Sequence, residues 1–74
     1  MSRLPSLKPR EVIAALQRAG FEILRQTGSH VHLRHPVTRR RTLVAVHPRE
    51  LHREVLKEIL KQAGLTEDEL RSLL

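Results

Sequence analysis

The chain has 74 residues, 14 Lys and Arg against 8 Asp and Glu, a net charge of +6, and no cysteine. That length predicts one small domain. The missing cysteines exclude disulfide scaffolds, Cys-ligated zinc sites, Fe–S clusters and thiol nucleophiles. One Phe without Tyr or Trp also excludes RNA-binding sheets that stack bases on aromatic side chains.

The N-terminal part, Met1–Arg10, lacks the apolar core of a signal peptide, and no apolar run nears the ~20 residues that span a bilayer. A cytoplasmic location and no membrane partner are therefore expected. The first element is a helix over 9–19. Pro9 suits its first turn and Gly20 its stop. Val12, Ile13, Leu16 and Ala19 form its apolar face, which leaves Lys8, Arg10, Gln17 and Arg18 outside.

Phe21–Gln26 reads as a strand, Thr27-Gly28-Ser29 as a turn, and His30–His35 as a second strand that Pro36 ends. Alternation places Val31, Leu33 and His35 toward the core, with His30, His32 and Arg34 on the other face. After the basic connection Val37–Arg41, Thr42–Val46 reads as a third strand closed by His47-Pro48. Hairpin-sized spacings predict a three-stranded antiparallel meander.

Glu50–Ala63 reads as a helix with an apolar row of Leu51, Val55, Ile59 and Ala63, and with Leu56 and Leu60 beside it. Glu50, Glu54 and Glu58 each stand three residues before Arg53, Lys57 or Lys61, so mutual pairing is expected, at about 0.2–0.5 kcal/mol per pair. Gly64 ends this helix. Thr66 and Glu69 form a capping-box pattern ahead of Leu70, Leu73 and Leu74, which predicts a short C-terminal helix. The fold class is α+β, with helices on one sheet face and the other face open. A single domain covers 1–74, with a core at about 7–65 and the extra helix at about 66–74.

Charge is uneven along the chain. Residues 1–49 hold ten cations and two anions, and residues 50–74 hold four cations and six anions. Eleven of the fourteen cations are Arg, whose planar fork binds phosphate. The polyanion surface is expected in the first two-thirds of the chain. Lys8, Arg25, Arg34, Arg39, Arg40 and Arg41 are the candidate phosphate contacts, and Ser29 is a turn residue or minor donor to phosphate.

Five histidines supply proton-transfer chemistry near neutral pH. His30 follows the Gly28-Ser29 turn directly. Beside arginines it can take the proton of a ribose 2′-hydroxyl, which then attacks the adjacent phosphorus without a metal. The products are a cyclic phosphate and a 5′-hydroxyl. His32, His47 or water can protonate the leaving oxygen, while Arg34 and Arg25 offset the phosphoryl charge. The pair His30-x-His32 also resembles part of a zinc site, but no third ligand accompanies it, so no metal is expected. His35 is expected to be a structural hydrogen-bonding residue beside Pro36, and His52 a solvated helix residue.

These residues bear a family resemblance. Gly28-Ser29-His30-Val31-His32-Leu33-Arg34-His35-Pro36 resembles the GSH…HP signature of HicA-type toxins. Val46-His47-Pro48 and the stretch Leu56–Leu65 resemble later blocks of that family, in order and at its spacings. Ala45 departs from it, since many members carry proline there, and so does Glu54-Val55, where Gly-Thr is common.

The resemblance implies an α-β-β-β-α fold like a small double-stranded-RNA-binding domain. It implies the toxin of a toxin–antitoxin pair, a ribosome-independent endoribonuclease (mRNA interferase) acting on single-stranded mRNA. It also implies His30 as the catalytic histidine, no cofactor, and a HicB-type antitoxin protein as partner. The alternative expectation is an RNA- or nucleic-acid-binding module, or an inactive toxin homologue, acting through a partner protein.

Overall fold

The computed structural model describes residues 4–74. Six elements follow in chain order: α1 (Pro9–Arg18), β1 (Glu22–Thr27), β2 (His30–Arg34), β3 (Arg41–Ala45), α2 (Arg53–Ala63) and α3 (Glu67–Leu73). The strands form one antiparallel sheet in the order β1-β2-β3. The expected α+β meander with an extra C-terminal helix is thus the observed fold.

Each helix forms for a local reason. Pro9 opens α1, where its missing N–H costs nothing, and the Lys8 N–H donates to Glu11 Oε1 at 2.8 Å. Val12, Ile13, Ala15 and Leu16 form the buried side of α1. Gly64, at φ +74, ends α2 in the left-handed region. The capping box of α3 is reciprocal. Glu69 N–H donates to Thr66 Oγ1 at 3.1 Å, and Thr66 N–H donates to Glu69 Oε1 at 2.8 Å.

The core lies on one face of the sheet. Val31 and Leu33 of β2 and Val44 of β3 meet Val12 and Leu16 of α1 and Leu56, Ile59 and Leu60 of α2. Leu70 of α3 is fully buried, and Arg18 Nη1 donates to the Leu73 carbonyl at 2.6 Å. The short C-terminal helix is therefore part of the packed body. Leu4 and Leu7 also enter the core, although neither belongs to a regular element.

Three expectations need correction. Helix α2 starts at Arg53, not at Glu50, because Leu51 N–H is bound to the Leu7 carbonyl at 2.8 Å and His52 is the N-cap in extended conformation. Val55 is 45% exposed, so the buried stripe of α2 is Leu56, Ile59, Leu60 and Ala63. The expected Glu–cation pairing along α2 is not made either. The ion pair among the described residues is Arg71–Asp68 in α3, at 2.6 Å, whereas Glu58 Oε2 accepts from Gln62 Nε2 at 3.4 Å. Rotamer entropy and full hydration of long side chains outweigh a weak surface attraction.

Strand β1 differs from the other two in that all six of its residues are exposed. The helices cover β2 and β3 and leave β1 projecting at the edge. Phe21, read as the first strand residue, precedes β1 and is buried.

Candidate nucleic-acid interface

Residues directly opposite one another in antiparallel strands share a sheet face. The register therefore sets the composition of the open face in three rows. Thr27, His30 and Ala45 form the first, Arg25, His32 and Leu43 the second, and Glu22, Arg34 and Arg41 the third. Three arginines and two histidines stand on this face against one carboxylate.

Arg25 reaches this face through an irregularity. The β1–β2 ladder pairs Ile23 with Leu33 and then Arg25 with His32, which leaves Leu24 as an extra residue. Such a bulge reverses the facing of every later side chain. Without it Arg25 would share the side of Ile23. The sequence singles out Arg25 only by charge, and nothing in its alternation signals the bulge.

His30 is exposed at the first position of β2. Before it, Gly28 has φ +60, and a Cβ there would meet nothing within 4 Å. The approach to His30 from the turn is therefore open. Gln26 Nε2 donates to the Gly28 carbonyl at 3.0 Å, and the Ser29 carbonyl accepts from Val46 N–H at 2.6 Å. These bonds hold both sides of the turn. Among the described residues no side chain is hydrogen-bonded to the His30 ring, so no carboxylate orients it. His32 is half-buried in mid-strand between Arg25 and Leu43.

His47 lies at the same end of the sheet, one residue past the Val46–Ser29 bond. With Val46 and Pro48 it lines a cleft against Lys8, Pro9, Arg10 and Glu11 at the start of α1. Lys8 is thereby placed near the His30 end. The opposite end of the sheet, about 13 Å from His30 over the four residues to Arg34, holds the loop 35–40 between β2 and β3. The Arg39–Arg41 cluster divides there. Arg41 joins the open face opposite Arg34. Arg39 is exposed at φ +68. The Arg40 side chain turns to the end of α2, where a Cβ on Gly64 would come within 2.6 Å of its Nε. The carbonyl ends of a helix favour a cation at that position.

His35 has the structural role expected of it. Its Nδ1 accepts from Val37 N–H at 3.1 Å and Thr38 N–H at 3.2 Å. Its ring meets Phe21 edge-on, with centroids 5.2 Å apart. His52 caps α2 instead of lying within it. Among the described residues, no group of three or more His, Asp or Glu converges as a metal site.

The interface is therefore an exposed histidine at one end of an arginine-bearing sheet face, with a second histidine two residues along and a third beside the turn. This arrangement can bind a phosphodiester backbone and transfer protons beside it. A family model described as HicA toxin of bacterial toxin-antitoxin matches residues 9–65. No curated protein is significantly similar to the chain. The match covers more than half of the chain, and the chain belongs to the HicA toxin family.

Proposed function

We propose that this member of the HicA family is an endoribonuclease that cleaves single-stranded mRNA by a metal-free reaction on its open sheet face. As a toxin of a toxin–antitoxin system, it has an antitoxin as partner. We read that partner as a HicB-type protein that covers the same face.

The observation that carries this reading is the placement of exposed His30 at the end of a face that also holds Arg25, His32, Arg34 and Arg41. His30 removes the proton of a ribose 2′-hydroxyl. The oxygen attacks the adjacent phosphorus, the P–O5′ bond breaks, and a 2′,3′-cyclic phosphate remains on one product. The 5′-oxygen leaves with a proton from His32, His47 or water. Arg25, opposite His32, is the cation of the face nearest His30 and offsets charge on the phosphoryl oxygens, while Arg34 shares the far row with Arg41. Ser29 and Lys8 hold flanking phosphates at the His30 end, and Arg39 and Arg41 hold them at the far end. Arg40, a candidate contact by its charge, lies against Gly64 and has a structural role instead.

The test is cleavage of an end-labelled single-stranded RNA by the purified chain in excess chelator. Products with cyclic phosphate and 5′-hydroxyl ends are expected. His30→Ala should lower the rate by about 10²–10⁴, the usual contribution of a general acid or base. Undiminished cleavage by this variant, or a strict need for a divalent ion, would overturn the mechanism. One observation favours a second reading. Among the described residues the His30 ring has no orienting partner, as suits a module that binds RNA without cutting it. Salt-sensitive retention of intact RNA by the wild-type chain would establish that reading.

A further inference from the structure

The end of the sheet that carries His30 also carries a cleft that the open face does not account for. It lies between the first turn of α1 and the residues that follow β3, with a volume of about 510 Å³. Clefts of about 300–1,000 Å³ are the size that takes small organic ligands. Its accessible lining includes the apolar Val46 and Pro48 and the exposed Lys8, Arg10 and His47, whereas the Pro9 side chain is fully buried. Apolar and cationic groups side by side suit a flat heterocycle joined to a phosphate. The one carboxylate of the lining, Glu11, accepts the Lys8 backbone N–H at 2.8 Å, so part of its acceptor capacity is already engaged.

Position links the cleft to the reaction. Ser29 and Val46 are hydrogen-bonded through their main chains at 2.6 Å, and His30 stands opposite Ala45. The cleft therefore begins where the strand bearing His30 begins. A chain passing over His30 can place its next nucleotide there.

We propose that this cleft is a nucleotide subsite, which seats one nucleotide beside the scissile bond. The base lies against Val46 and Pro48, and its phosphate meets Lys8 and Arg10. The inference rests on reading the chain as an RNA-cleaving toxin, and it adds a source of base preference that phosphate contacts alone do not provide.

The test uses the His30→Ala chain, so that binding is read apart from cleavage. The four nucleoside monophosphates and inorganic phosphate are titrated separately against the ¹⁵N-labelled protein. Saturable shifts at the amides of Arg10, Glu11, Val46 and His47 are expected with the nucleotides. At least one nucleotide should bind about tenfold more tightly than inorganic phosphate, the gain expected from burying part of an apolar base face. Arg10→Ala should abolish most of that binding. Equal binding of phosphate and nucleotides would reduce the site to an anion contact and overturn the proposal. So would shifts confined to Arg25, His32 and Arg34. Shifts at the cleft caused by the antitoxin but by no nucleotide would overturn it in favour of a protein-docking surface. Cleavage by the wild-type chain is measured separately, so loss of the catalytic reading and loss of the subsite give different results.

Discussion

Arg25 stands directly opposite His32 across the β1–β2 ladder, and Leu24 is the extra residue between the pairs Ile23–Leu33 and Arg25–His32. The bulge shifts the facing of β1 after Ile23 so that Arg25 joins the histidines. Arg25→Ala should lower RNA cleavage by roughly 10²–10³-fold, the range for loss of a group that stabilises transition-state charge. Deletion of Leu24 should be tolerated. Without the extra residue the ladder becomes regular and Arg25 still pairs with His32. Cleavage within about threefold of wild type, with an unchanged circular dichroism spectrum, is the expected outcome; threefold is under 1 kcal/mol. Loss of activity on this deletion would mean that the bulge itself shapes the site.

The loop arginines should separate by salt dependence. Arg41 faces the sheet surface beside Arg34, while Arg40 lies against Gly64. Each phosphate contact to single-stranded RNA contributes about 0.7 to the slope of log K against log salt. Arg41→Ala should reduce the slope by about that amount, and Arg40→Ala should leave it unchanged. A fluorescence-anisotropy titration of labelled RNA at several salt concentrations measures both.

His35 should behave as a structural residue. It accepts two loop amides and meets the edge of Phe21, and a Cβ on Gly20 would come within 2.6 Å of its Nε2. His35→Ala removes two hydrogen bonds of an exposed loop, worth about 0.5–1.5 kcal/mol each. For a domain of this size each kcal/mol lowers Tm by roughly 4–8 °C. Thermal unfolding should show that loss, while RNA affinity well below Tm stays near that of the wild type. A specific loss of cleavage at full folding would give His35 a role in the reaction.

Among the described residues Thr42 is the one buried polar residue, 5% exposed, and its Oγ1 donates to Gln62 Oε1 at 2.8 Å. The bond ties β3 to the last turns of α2. Thr42→Val keeps the shape and removes the donor, so a loss of about 1 kcal/mol is expected. Chemical denaturation should show the midpoint falling with the slope unchanged.

Much of the molecule follows from local pattern. The length, the missing cysteines and the spacing of turns and apolar residues are enough to specify six elements in order, because capping, alternation and helical periodicity act within a few residues. The same pattern is enough to place His30, His32 and Arg34 together on the open face, since alternation along one strand needs no partner. Features that join distant parts of the chain are different. The start of α2 was displaced by a bond from Leu51 to Leu7. Arg40 was drawn away from its neighbours by the end of a helix more than twenty residues later in the chain. The bulge at Leu24, the Thr42–Gln62 bond and the cleft between Pro9 and Pro48 arise only when separate segments pack. Each depends on register and on side-chain fit between elements, and these are decided by the closing of one shared core. The composition gives a basic, arginine-rich domain, and the packing decides which arginines stand together on the open face of the sheet.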